Sequence, residues 1–268
     1  MKKTLFLGLF ISIFVISCKK DDSNANNSGN GGNNSGATPL FFSFNSGDYW
    51  DYKTDSANLT LSLFTLTSTN KDTTFPSIPS KQFHIFESYD GTTITEEYYN
   101  ANGNNYYQLV SLTNLLPTLD LKYLVTNAPA NTYWDTTINA IIPILTYNFN
   151  LTAKIRQTIE QTNTSIVVNG TSYDSVIKLK TEILNATASS QIQLLPAPFP
   201  ATTINLPIDI AQDIHTFYAP RVGEVQRNYA INATANLRSL SALITTLPDS
   251  ISLINTNRTT TLLNSNVH

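Results

Sequence analysis

Residues 82–112 read QFHIFESYDGTTITEEYYNANGNNYYQLVSL, and this stretch decides the fold. β-branched and aromatic side chains recur through it, while Asp90-Gly91 and Asn102-Gly103 interrupt it with dipeptides that favour tight hairpins. Two hairpin signals in succession predict three antiparallel neighbours. Tyr98-Tyr99 and Tyr106-Tyr107 flank the second turn, and successive strand residues point to opposite faces. One ring of each pair is therefore expected on each face. If the outward pair is exposed, these four tyrosines are candidate ligand-facing aromatics suited to a glycan, peptide or lipid; otherwise they are cross-strand packing partners.

The same grammar extends in both directions. LTLSLFTLT, from Leu59, places Leu59, Leu61 and Leu63 on one face and then slips at Phe64, which predicts a bulge. Asn169-Gly170 marks a third hairpin, between TSIVV and TSYDSVIKLKTEIL. The proline-rich segments FPSIPS (75–80) and LLPAPFPATTINLP (194–207) read as loops or sheet edges, because proline removes a ladder donor. Helical spacing occurs in ANLRSLSALITTL (235–247), at Leu237, Leu240, Ile244 and Leu247, and TTTLLNSN (259–266) reads as a returning strand. The fold class expected is mainly β: a curved antiparallel sheet, as an open half-barrel or a sandwich, with at most one or two short helices.

Trp50 and Tyr52 fall on one side of a strand and are expected to pack into the core, as is Trp134. Gly223, in PRVGEV, sits where a bend or a close backbone approach is wanted.

The chain begins MKKTLFLGLFISIFVISCKKDDSN. Lys2 and Lys3 precede an apolar run from Leu5 to Ser17, the layout of an export signal. As a helix this run spans roughly 20 Å, short of the roughly 30 Å hydrocarbon core of a bilayer. Cys18 is the single cysteine, so no disulfide can form within the chain. Val15-Ile16-Ser17-Cys18 resembles the lipobox of bacterial lipoproteins. That resemblance implies cleavage before Cys18, acylation of its sulfur and amino group, and outer-membrane lipid as a partner through acylated Cys18. Two or three acyl chains hold firmly where one holds marginally.

Cys18-Lys19-Lys20-Asp21-Asp22 also resembles the surface export signal of Bacteroidetes lipoproteins, with Lys20, Asp21 and Asp22 on the matching positions. It implies passage through the lipoprotein export machinery and an outer-membrane, lipid-anchored location facing the cell exterior. The other reading of the charge run is the solvated start of a linker. SNANNSGNGGNNSGAT, residues 23–38, has no large apolar side chain and is expected to stay disordered as a tether of roughly 20 to 25 Å. The expected organisation is signal peptide 1–17, lipidated Cys and tether 18–38, and a single β-rich domain 39–268.

FFSFNSGDYWDYKT, ANTYWDTTI, VVNGTSYDSVIKLKT and FYAPRVGEVQRNY, in this order, resemble a loose group of β-rich Bacteroidetes lipoproteins. The Leu-rich segment near the C-terminus departs from that group. The resemblance implies a strongly curved antiparallel sheet and names no reaction.

Charged residues are 13% of the chain and its net charge is −3, so no basic face is available to neutralise phosphates, and a nucleic-acid partner is not expected. His84, His215 and His268 lack metal-ligand spacing, and there is no G-x-S-x-G. Neither a cofactor nor catalysis is expected. Glu96, Glu97, Asp120 and Asp135 remain as carboxylates for a carboxylate-dependent glycan hydrolase, and are otherwise solvated strand or loop residues. The functional expectation is a binding or display module, with a periplasm-facing carrier of a hydrophobic ligand as the alternative.

Overall fold

A computed structural model describes residues 41–56, 59–110, 119–144, 147–193, 200–241 and 248–268. The alternating runs form β1 (Tyr49–Ser56), β2 (Leu59–Phe75), β3 (Ile78–Tyr89), β4 (Ile94–Asn102), β5 (Asn105–Val110) and β6 (Leu119–Val125). There follow β7 (Tyr133–Ile144), β8 (Tyr147–Val168), β9 (Thr171–Ile192), β10 (Thr202–Ala219), β11 (Gly223–Asn236) and β12 (Ser250–Asn266). A helical turn, α1 (Arg238–Ser241), stands between β11 and β12; Ile244 and Leu247 of the expected helix lie outside the described residues. Among the described residues no helix is long and apolar enough to cross a membrane.

All twelve strands join one antiparallel sheet in the order β6-β5-β4-β3-β2-β1-β12-β11-β10-β9-β8-β7. Two meanders, β1–β6 and β7–β12, are thus laced together along β1 and β12, whose pairing runs from Tyr49↔Asn266 to Asp55↔Thr259. It is one sheet, not the two of a sandwich, and it is not closed. Yet it curves until its edges touch. Trp134 Nε1 on β7 donates to Lys122 O on β6 at 2.6 Å. The Gln157 amide, with its nitrogen turned towards β6, donates to Tyr123 O (2.8 Å) and Lys122 O (3.0 Å). Side chains from β7 and β8 therefore cover ladder groups that an edge strand leaves unpaired.

The turns follow their dipeptides with one shift. At Asn169-Gly170 both residues are left-handed (φ 49° and 83°), as a type I′ hairpin requires. In the tyrosine hairpin the pair Asn102↔Asn105 makes Gly103-Asn104 the central residues, one position later than the Asn-Gly signal. Only Gly103 is left-handed there (φ 58°), the II′ pattern. The Asp90–Thr93 loop is held by Asp90 Oδ1, which accepts from the backbone N–H of Thr92 and Thr93.

The bulge in β2 falls at Leu61, between Thr54↔Ser62 and Asp55↔Thr60, and not at Phe64. Leu59, Leu61 and Leu63 are exposed, whereas Leu66 is buried and Phe64 packs against the core. Pro207 corrects a second expectation. It lies inside β10, a central strand, paired with Thr187, at the point where the β9–β10 ladder lapses until His215. Gln212 spans the gap, accepting from Ile183 N (2.8 Å) and donating to Ile183 O (2.9 Å). A proline is tolerated because a side-chain amide stands in for missing ladder bonds.

The concave face carries the core. At one end Trp50, Tyr52, Leu66, Phe86, Tyr106, Tyr123, Ile159 and Leu179 are buried together, closed by the segment before β1. Phe42 stacks on Trp50 (4.6 Å, 16°) and Trp50 Nε1 donates to Val222 O. Full burial of such a side chain contributes about 1.5 to 3 kcal/mol. Towards the other end the concave face turns aliphatic, with Ile142, Ile144, Phe149, Ile192, Leu206 and Leu237 buried.

Candidate functional site

Inside the aromatic end a cavity of about 50 Å³ interrupts the packing. β4 supplies Glu97 and Tyr99, β5 Gln108, β6 Tyr123, β1 Tyr52, β10 Tyr218, and β11 both Glu224 and Arg227. Phe42, Phe64, Leu66 and Thr260 complete the wall. Ladder register explains the convergence. Glu97 pairs with inward Phe86, and Tyr99 pairs with both His84 and Gln108, so all share the concave face.

Two polar groups face each other across the cavity. On β11, Arg227 Nη2 is bonded to the Glu224 carboxylate, and Tyr52 Oη donates to Glu224 O at 3.0 Å. Burial works against the Arg227 charge, but Glu224 and Tyr218 outweigh it, and the guanidinium pKa is raised. On β4, Glu97 Oε2 accepts from Tyr99 Oη (2.6 Å) and from Gln108 Nε2 (3.4 Å), and Gln108 Nε2 also donates to Tyr99 Oη (2.9 Å). Burial pushes the Glu97 carboxyl up; hydrogen bonds from Tyr99 and Ser88 and the more distant Arg227 charge oppose this without cancelling it. Burial likewise pushes the Tyr52, Tyr99, Tyr123 and Tyr218 phenols up, so these rings are neutral donors. Side-chain exposures of 24% for Arg227 and 14% for Glu224 leave the cavity a route to solvent.

The four candidate tyrosines divide as the alternation predicts, but they do not form one surface. Tyr99 and Tyr106 point inward. Tyr99 lines the cavity, while Tyr106 is buried lower down with its Oη accepting from Phe41 N (3.0 Å). Tyr98 and Tyr107 point outward and are half-buried. Tyr98 donates to Glu96 and meets Phe75 edge-on; Tyr107 lies under Lys81 Nζ at 3.3 Å. Cys18, Lys20, Asp21 and Asp22 lie outside the described residues.

Of the carboxylates, Asp120 pairs with Lys81, Asp135 receives a two-pronged bond from Arg156 (2.8 and 3.0 Å), and Glu96 faces outward. Glu97 is the correction: it is not a solvated strand residue but part of the cavity wall. Strand alternation does not bring Glu224 and Arg227 together, because residues three apart on a regular strand face opposite ways. A register shift sets Val225 as an extra residue between Phe217↔Gln226 and Tyr218↔Glu224, and it turns both charged groups inward.

A second constellation has the order of a hydrolytic triad. His84 Nδ1 is hydrogen-bonded to Asp72 Oδ1 (2.8 Å), and His84 Nε2 to Ser68 Oγ (3.0 Å). Ser68 is only 1% exposed, and Phe44 lies edge-on to the His84 ring, so a substrate carbonyl has no approach. The chain of bonds instead closes the irregularity where β2 leaves the β3 ladder between Ser68 and Asp72. Among the described residues no group of three or more His, Cys, Asp or Glu side chains could hold a metal ion.

Compared with known proteins, the chain matches no family model, no curated protein and no solved structure.

Proposed function

We propose that this protein is a lipid-anchored outer-membrane protein, facing the cell exterior, whose β body acts as a binding module. The observation that carries the binding reading is the cavity between β4 and β11. A core selected for stability alone fills such a space with aliphatic side chains, because two carboxylates and a guanidinium lose hydration there. Retaining them inside a ring of tyrosines makes sense where a ligand meets them. The volume weighs against the glycan-hydrolase alternative, since ligand pockets for molecules of that size run to about 300 to 1,000 Å³.

The anchor rests on Cys18 within VISC and on the polar tether that follows it. Phe41 and Phe42, the first described residues, are tied into the aromatic end of the sheet, which supports attachment of the proposed tether at that end. Changing Cys18 to Ala is expected to abolish acyl labelling and release the chain from the membrane fraction; a variant still acylated and membrane-bound overturns the anchor. The triple change of Lys20, Asp21 and Asp22 to Ala is expected to keep the lipid while protease accessibility on whole cells falls; unchanged accessibility removes surface export.

A second reading, carriage of a hydrophobic ligand, is favoured by the aliphatic concave strip of Leu151, Ile155, Ile183, Ile208 and Ile210, which are only partly buried. Organic extraction of the native protein followed by mass spectrometry separates the two, a carrier yielding a stoichiometric lipid.

A further inference from the structure

Among the carboxylates described above, Glu97 differs from Asp120, Asp135 and Glu224 in its contacts. Asp120, Asp135 and Glu224 each touch a lysine or arginine. Glu97 touches only neutral donors, Tyr99, Gln108 and the Ser88 hydroxyl, and no cation among the described residues lies within ion-pair distance of it. Arg227, the nearest charge of opposite sign in the cavity, is committed to Glu224 and to the Tyr218 hydroxyl. Among the described residues the wall holds two carboxylates and one guanidinium, one positive charge short of balance.

The remaining wall is made of ring faces and edges. Tyr99 lies 5.2 Å from Phe42 and 6.0 Å from Tyr123, Tyr123 lies 5.8 Å from Tyr218, and Tyr52 stacks on Phe64 at 5.1 Å. Aromatic faces are negative, so they attract a cation and repel a carboxylate or phosphate. A metal ion of the calcium type is held mainly by several carboxylates, whereas Glu97 and Glu224 are the two in this wall and no group of three or more His, Cys, Asp or Glu side chains gathers among the described residues. A space of about 50 Å³ admits a group of a few heavy atoms and excludes a sugar ring or an acyl chain.

We infer that the cavity receives the head group of a small primary ammonium compound, with Glu97 as its counter-ion and the surrounding tyrosines as its walls. The N–H groups of such a head donate to Glu97, which has no donor of its own when ionised and accepts on both oxygens. The inference rests on the reading of this protein as a binding module and names the class of ligand.

The probe is methylammonium chloride, added to the full-length protein in detergent at pH 8 and followed by saturation transfer to its methyl protons. A saturable signal is expected from the native protein and from Glu96→Gln, whose altered side chain faces outward. Glu97→Gln is expected to weaken it at least tenfold, and sodium acetate is expected to give none. No saturable methylammonium signal, a signal undiminished in Glu97→Gln, or preferential binding of acetate overturns the proposal. Tyr99→Phe is a second variant: it keeps the ring and removes the hydroxyl beside Glu97, and a loss of at least threefold is expected, with full retention counting against the site. These results concern the ligand class alone; the lipid-anchored, exterior-facing placement stands or falls on the Cys18 and Lys20-Asp21-Asp22 variants.

Discussion

Gly223 and Phe42 are in contact so close that a β-carbon built on Gly223 would lie 2.4 Å from Phe42 Cδ2. The glycine also has φ +92°, a region L side chains rarely adopt. The segment that plugs the sheet can stack on Trp50 only because the β10–β11 turn carries no side chain at this point.

Gly223→Ala is therefore expected to cost about 2 to 4 kcal/mol, from backbone strain and overpacking together. Thermal or urea unfolding measures it. The double variant Gly223→Ala/Phe42→Ala is expected to be less destabilised than the two single losses added together, since the clash is gone while the strain remains. Strict additivity means that the two residues do not meet as described.

The raised Glu97 carboxyl sets a pH dependence whose sign can be worked out. Its folded pKa lies above the ordinary 4.5, so between the two values the folded state holds more protons than the unfolded chain. Stability from this group falls as pH rises through that window. Glu97→Gln mimics the protonated form, and the stability difference between variant and native protein is expected to be near zero at low pH and to grow in the variant's favour as pH rises. Ser88, Tyr99, Gln108, Glu224 and Arg227, which face Glu97, are common to both proteins, so the difference isolates Glu97. Paired melting curves across this range check it; a flat or opposite trend contradicts the buried placement.

Gln212 is expected to matter more than an average polar strand residue. Its amide satisfies both backbone groups of Ile183 across the gap opened after Pro207. Gln212→Ala leaves that N–H and C=O without partners, which costs about 1 to 3 kcal/mol. Amide hydrogen exchange is expected to accelerate at Ile183 and its neighbours on β9 while the β1–β12 ladder keeps its protection; unchanged exchange at Ile183 means the bridge is not made.

Much of the architecture was legible in residue order. Alternation over residues 82–110, the dipeptides Asp90-Gly91 and Asn169-Gly170, and the buried faces of Trp50 and Tyr52 appear where their chemistry placed them. The Asn102-Gly103 turn came within one residue. Two errors share a cause. The bulge at Leu61 and the proline in central β10 both depend on what a partner strand does opposite them, and a single strand's pattern does not contain its partner.

By itself the sequence determined that this chain makes antiparallel strands with hairpin turns, because period-two burial and left-handed turn residues are local properties. Tertiary structure alone decided that β1 and β12 lace the two meanders into one sheet and that β6 and β7 touch without pairing. It also decided that Glu97, Glu224 and Arg227 share a cavity. Glu97 on β4 stands more than a hundred positions from the other two on β11, and only the curvature of the sheet, with one extra residue at Val225, turns all three towards the same space.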